Sequence, residues 1–116
     1  MNDIIHFYRV SNLQVVRDFY EKVLGFSLFK DQTKCLIYDV HGLGKIGFCT
    51  HHPKVPNDST CITFVYQSES EVDAIYHQLQ RLKLTTDAPS INPAFNIYHF
   101  FIKDPAGLTL EFQTFL

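Results

Sequence analysis

Glu111 stands in the middle of the segment Leu108-Thr109-Leu110-Glu111-Phe112-Gln113. A carboxylate turned into an apolar interior requires a partner. Strand alternation separates Leu108, Leu110 and Phe112, which suit packing on a helix, from Thr109, Glu111 and Gln113, which make the other face polar. A polar row of that kind suits a solvent-filled cup, so Glu111 is the leading candidate for a ligand-binding role. The preceding segment carries His99. There Tyr98, Phe100 and Ile102 share one face, and His99, Phe101 and Lys103 share the other. An imidazole titrating near neutrality serves as a metal ligand, a general acid or base, or a hydrogen-bond donor to substrate. A plain surface histidine is the alternative, and a register shifted by one residue favours it.

His6, in the first apolar segment, offers another imidazole; its alternative is a core histidine with one ring nitrogen bonded to a backbone carbonyl. Cys61 opens CITFVY and either supplies a thiolate to a soft metal such as Zn²⁺ or packs as a small core hydrophobe. His51 and His52 sit where a strand meets a loop and read as solvated. Cys35, Cys49 and Cys61 form an odd set without close spacing, a poor disulfide framework. A reduced, cytoplasmic protein is expected.

The elements that must position these groups follow from periodicity and turn chemistry. Ile4 to Val10 reads as a buried strand. Ser11 with Gln14 forms a capping box, and Leu13, Val16, Phe19, Tyr20, Val23 and Leu24 make one helical stripe that Gly25 ends. Strands are predicted over Phe26 to Phe29, Cys35 to Val40 and Lys45 to His51, with His41-Gly42-Leu43-Gly44 as a hairpin turn. His52 to Ser59, holding Pro53 and Pro56, reads as a linker. The order then repeats. Cys61 to Tyr66 is a strand, and Ser68 with Glu71 caps a helix bearing Val72, Ile75, Leu79 and Leu82. A short strand candidate, Leu84 to Thr86, and a Pro-containing connection around Pro89 and Pro93 precede two closing strands, Asn96 to Lys103 and Leu108 to Phe115, so each half carries two or three strands after its helix. The result is an α+β chain of tandem βαβββ modules, about 1–52 and 60–116, in one domain.

Composition bounds the function. The 116 residues are 46% hydrophobic and 15% aromatic, which excludes a disordered chain. Ten basic and twelve acidic side chains, with no run of like charge, give no basic patch for nucleic acid or a membrane surface. No apolar run approaches the ~18 residues that span a bilayer, and MNDIIHFYRV has neither a basic leader nor a cleavage site.

The phrase FYEKVLGF (Phe19 to Phe26) and the ending Asp104-Pro105-Ala106-Gly107-Leu108-Thr109-Leu110-Glu111 resemble the vicinal oxygen chelate superfamily, which includes glyoxalase I, extradiol dioxygenases, and fosfomycin and bleomycin resistance proteins. The resemblance implies a curled mixed sheet forming a cup with helices outside. It implies ligands on the first and last strands of each module: His6, Gly47, Cys61 and Glu111. His6, Cys61 and Glu111 are thus the implied metal ligands, for Zn²⁺, Ni²⁺, Mn²⁺ or Fe²⁺, while Gly47 supplies no donor. Glu111 and His99 are the implied catalytic groups. Tyr8, sharing the parity of His6, and Cys49, sharing that of Gly47, are the implied cup-lining positions with Phe101. No organic cofactor is expected, and relatives of this length pair as homodimers. Two functions stay open. One is a divalent-metal-dependent lyase, isomerase or dioxygenase acting on a small molecule; the other is a metal-free binder of the bleomycin-resistance kind.

Overall fold

The helical stripe and the two hairpin-linked strand sets each find a sheet to cover. The computed structural model describes residues 1–51 and 60–116. The linker expected over His52 to Ser59 lies outside the described residues. The chain forms two compact units, Met1–Asn57 and Asp58–Leu116.

In the first unit the elements are β1 (Ile5–Arg9), α1 (Leu13–Val16), β2 (Ser27–Asp31), β3 (Cys35–Asp39) and β4 (Lys45–Cys49). They make a four-stranded sheet in the order β1-β4-β3-β2, with β1 parallel to β4 and the other pairs antiparallel. The helix start differs from expectation. Asn12, not Ser11, is the cap, because its extended backbone lets Oδ1 accept from the N–H groups of Gln14 and Val15 at 2.9 and 3.3 Å. After Val16 the chain widens into a π-helical turn, Arg17–Glu21, where the Leu24 N–H reaches the Phe19 carbonyl. Gly25, at φ 73°, closes it. Val16, Phe19 and Tyr20 are buried, and the Tyr20 ring lies 4.6 Å from that of Phe48 on β4. That contact fixes the faces: Phe48, Tyr38 and Tyr8 point toward the helix.

The second unit repeats the plan with β5 (Cys61–Val65), α2 (Glu69–Arg81), β6 (Ser90–Asn92), β7 (Ile97–Lys103) and β8 (Thr109–Phe115). Its sheet order is β5-β8-β7-β6, with β5 parallel to β8. Ser68 caps α2 by accepting from the Glu71 N–H, while the Glu71 carboxylate accepts from the Gln67 N–H at 2.9 Å. Tyr76 of α2 meets Phe100 edge-on at 5.3 Å, and Phe100 stacks on Phe112 at 5.0 Å. Phe100, Ile102, Leu110 and Phe112 therefore form the helix side, and His99, Phe101, Glu111 and Gln113 face away from it.

The strand expected at Leu84 to Thr86 is instead Ser90–Asn92. Lys83 takes a left-handed φ of 60°, and the Leu84 N–H closes the helix by donating to the Leu79 carbonyl at 3.0 Å. That donor is then absent from any ladder. β6 runs between Pro89 and Pro93 at the sheet edge, where a missing N–H breaks no ladder bond. The architecture is α+β, two four-stranded mixed sheets each with its helix.

Candidate functional site

On the face of the second sheet turned away from α2, three adjacent strands gather polar groups. Parallel pairing sets Thr63 of β5 opposite Glu111 of β8, and antiparallel pairing sets Phe101 of β7 on the other side of Glu111. Glu111 is buried, yet both of its oxygens are occupied. Thr63 Oγ1 donates to Oε1 at 2.7 Å, and His99 Nδ1 lies 2.6 Å from Oε2. Nδ1 carries the proton in a neutral imidazole so bonded, which leaves the Nε2 lone pair free to accept a proton or bind an electrophile. A buried carboxylate bonded to an imidazole orients the ring and stabilises its cation when a proton arrives.

Around this pair lie three further side chains. The Phe101 ring is exposed and sits 5.1 Å from the His99 ring. Lys103 donates from Nζ to Thr109 Oγ1 at 2.8 Å. Cys61, the one free thiol among the described residues, is exposed, with Sγ 3.9 Å from Thr63 Oγ1. Its pKa is raised, chiefly by desolvation; the hydrogen bond with Thr63 opposes this, the negative charge of Glu111 adds a smaller upward push, and Lys103 a still smaller downward one. The thiol is therefore protonated and weakly nucleophilic near neutrality.

The first unit places its candidates differently. Register sets Phe7, not His6, opposite Gly47, and a Cβ on Gly47 would meet the Phe7 ring at 2.4 Å. Gly47 is thus explained by the ring lying over it. His6 pairs with Ile46 and is exposed; together with Tyr8 it belongs to the face on which Tyr8 meets Phe48. His6 and Tyr8 therefore do not share a face with Gly47, because their register is one residue out of phase with the expected one.

Cys49 also differs from expectation. It is buried and bonded to Cys35 as a disulfide, with Cα atoms 4.2 Å apart. The cysteine set that looked unsuited to a disulfide pairs because the β3–β4 hairpin sets Cys35 opposite Cys49. Its thiol is not presented to a ligand, and the unpaired cysteines that suggested a reducing compartment are reduced to Cys61. His51, read from sequence as solvated, is exposed but has Nδ1 3.5 Å from Cys35 Sγ.

The two sets differ in their fitness for a metal. Around Glu111, both carboxylate oxygens are already bonded within the protein, and no three His, Cys, Asp or Glu donors converge there among the described residues. Donors converge instead at Cys35, Cys49 and His51, whose ligand atoms all lie within 4.8 Å of one another. Sequence reasoning passed over Thr63, Cys35 and His51. Thr63 was legible in the alternation of CITFVY, since it shares parity with Cys61. The Cys35–Cys49 pair was legible in the hairpin, for the two stand equally far on either side of Gly42.

Solved structures share this fold across nearly their whole length. A protein from an integron cassette of the Halifax Harbour sewage outfall metagenome aligns with a TM-score of 0.82 at 20% identity, covering 97% of each chain. Lactoylglutathione lyase from Agrobacterium tumefaciens aligns at 0.77 and 17% identity, covering 98% of this chain and 94% of that one. A genomically encoded fosfomycin resistance protein from Listeria monocytogenes aligns at 0.81 and 14% identity, covering 100% and 94%. At these identities the likeness establishes the fold, not the reaction. No curated protein matches the chain at the level of sequence. No helix is long and apolar enough to cross a membrane among the described residues. The family model for Glyoxalase/Bleomycin resistance protein/Dioxygenase matches residues 3–112, from before β1 into β8 and past Glu111, and on that span the chain belongs to this superfamily.

Proposed function

We propose that the protein binds a small oxygen-bearing molecule on the β5–β8–β7 face and moves a proton on it, with His99 as the base and acid and Glu111 as its positioning carboxylate. One observation carries this reading: Glu111 is buried and holds His99 Nδ1 at 2.6 Å, while Thr63 fixes its other oxygen. In such an arrangement Nε2 removes a proton from the carbon beside a carbonyl. Glu111 stabilises the imidazolium, a proton passes between the two oxygens of the enediolate, and the same nitrogen returns its proton to the former carbonyl carbon, the net change in an α-hydroxycarbonyl substrate being an isomerisation. Exposed Phe101 and Val65 flank the polar groups and offer apolar contact to the substrate. A lactoylglutathione lyase and a fosfomycin resistance protein share the fold, which supports a small, oxygen-rich substrate.

The superfamily's divalent-metal chemistry would require at least three converging donors around Glu111, and the residues placed there do not fit it, since among the described residues no third His, Cys, Asp or Glu joins Glu111 and His99. The proposed reaction is therefore derived without a metal. The proposal also takes the protein to be a homodimer, as the sequence resemblance implies, and cytoplasmic, as expected from its cysteine usage and N-terminal sequence.

A second reading, a metal-free binder without turnover, is favoured by the same exposed Phe101 and Val65. One experiment separates the two. A panel of α-ketoaldehydes, α-hydroxyketones and aromatic compounds is screened by thermal shift, and each stabilising compound is followed by NMR in deuterated buffer. Deuterium wash-in beside the carbonyl, lost in His99→Ala with binding retained, supports the enzyme. Binding without wash-in establishes the binder, and no stabilising compound overturns both.

A further inference from the structure

Cys35 is the first residue of β3 and Cys49 the last of β4, so their side chains meet at one end of the hairpin, on the sheet face opposite the helix. His51 lies two residues beyond Cys49 and brings Nδ1 to 3.5 Å from Cys35 Sγ. The two cysteines are buried and the histidine is exposed.

We propose that Cys35, Cys49 and His51 form a redox-gated site for a soft divalent cation, Zn²⁺ or a chemical equivalent, occupied in the dithiol state and closed in the disulfide state. The donor set is two thiolates and one imidazole, which matches zinc better than magnesium or calcium. Spacing supports it. With Zn–S about 2.3 Å and Zn–N about 2.05 Å, a tetrahedral ion holds its sulfur and nitrogen ligands roughly 3.5 Å apart. The Cys35–His51 pair already has that separation. Reduction frees the two sulfurs to separate to a tetrahedral edge of roughly 3.8 Å by side-chain rotation, on strands whose Cα atoms are 4.2 Å apart. Three protein ligands leave a fourth position to water.

The chemistry balances in both directions. Binding of the cation to the two thiols and neutral His51 releases two protons. Oxidation by a small-molecule disulfide such as oxidised glutathione takes two electrons from the bound thiolates and forms the Cys35–Cys49 bond. It consumes two protons, yields two molecules of reduced thiol and frees the cation. The disulfide and the bound metal are thus alternative states of one pair of sulfurs, and the cation protects the thiols until an oxidant displaces it.

The site stands independently of the proposed reaction at Glu111, and its test is built in the Glu111→Gln protein to remove that carboxylate. Reduced protein is titrated with Co²⁺, whose bond to thiolate gives a sulfur-to-metal charge-transfer band, and then with Zn²⁺ in competition. One Co²⁺ per chain is expected, with the band present in Cys61→Ser, absent in Cys49→Ser, and shifted in His51→Ala with affinity weakened by more than about tenfold. His51 is exposed, so that variant reads the ligand and not the fold; circular dichroism checks Cys49→Ser. Oxidised glutathione is expected to abolish the band with the loss of two titratable thiols, and a reductant to restore it. No band in folded, reduced protein, or a band that survives Cys49→Ser, overturns the site. A band that survives oxidation with the thiol count unchanged overturns the gate.

Discussion

His99 Nδ1 and Glu111 Oε2 meet at 2.6 Å across a diagonal of the β7–β8 ladder, for His99 is paired with Gln113 and Glu111 with Phe101. Diagonal neighbours on one sheet face are within reach of long side chains, and here the reach ends in a buried carboxylate. Removing Glu111 leaves His99 Nδ1 without this partner, and removing His99 leaves Glu111 Oε2 without its bond, with Thr63 still on Oε1. Glu111→Gln and His99→Gln are each expected to lower stability by about 1–3 kcal/mol in urea denaturation. The double variant is expected to cost less than their sum, by a coupling of about 0.5–3 kcal/mol. Strict additivity would show that the contact is not formed in solution.

Cys61 shares its sheet face with Glu111, and desolvation together with that negative charge raises its pKa. A raised thiol pKa means a smaller thiolate fraction at neutral pH, so alkylation is slow there and rises with pH. Under non-reducing conditions Cys61 is the free thiol that iodoacetamide reads. The midpoint of its rate profile is expected above the ordinary thiol value of about 8.5. Glu111→Gln is expected to move that midpoint down; an unchanged midpoint would place the carboxylate's charge too far from the thiol to matter.

Tyr98 anchors β7 to α2, its hydroxyl donating to Asp73 Oδ1 at 2.5 Å. That hydrogen bond, followed by desolvation, pushes the Tyr98 pKa up to about 12. An unfolded tyrosine titrates near 10, so the contribution is complete below about pH 10. As pH rises from about 10 to about 12 the unfolded chain loses its proton first, and stability falls. Tyr98→Phe is expected to cost about 1 kcal/mol at neutral pH. Its deficit should shrink across that alkaline window, read from denaturation midpoints of the two proteins. A deficit independent of pH would mean the hydroxyl makes no such bond.

Much of the fold was legible because it is written in local patterns. The left-handed Gly25, the hairpin turn after β3 and the Ser68 cap each depend on a few neighbouring residues and form where expected, whereas the expected helical stripe is a short α-helix that widens into a π turn. Where two local signals competed, the margin was one residue: Asn12 caps α1 in place of Ser11. The failure at Leu84 has a different cause. Its N–H turns back to Leu79 and ends the helix, a choice no β-propensity in Leu84 to Thr86 records.

The sequence by itself determined the α+β class, the repeated βαβββ order and the polar row containing Glu111, because period and turn chemistry are local properties of the chain. Only the tertiary structure decided which side chains meet. The β1–β4 register placed Phe7 over Gly47 and left His6 on the other face; the β3–β4 register joined Cys35 to Cys49; the β7–β8 register carried His99 to Glu111. A strand read one residue out of phase looks the same in composition yet presents every side chain to the opposite face, so pairing across strands alone resolves it.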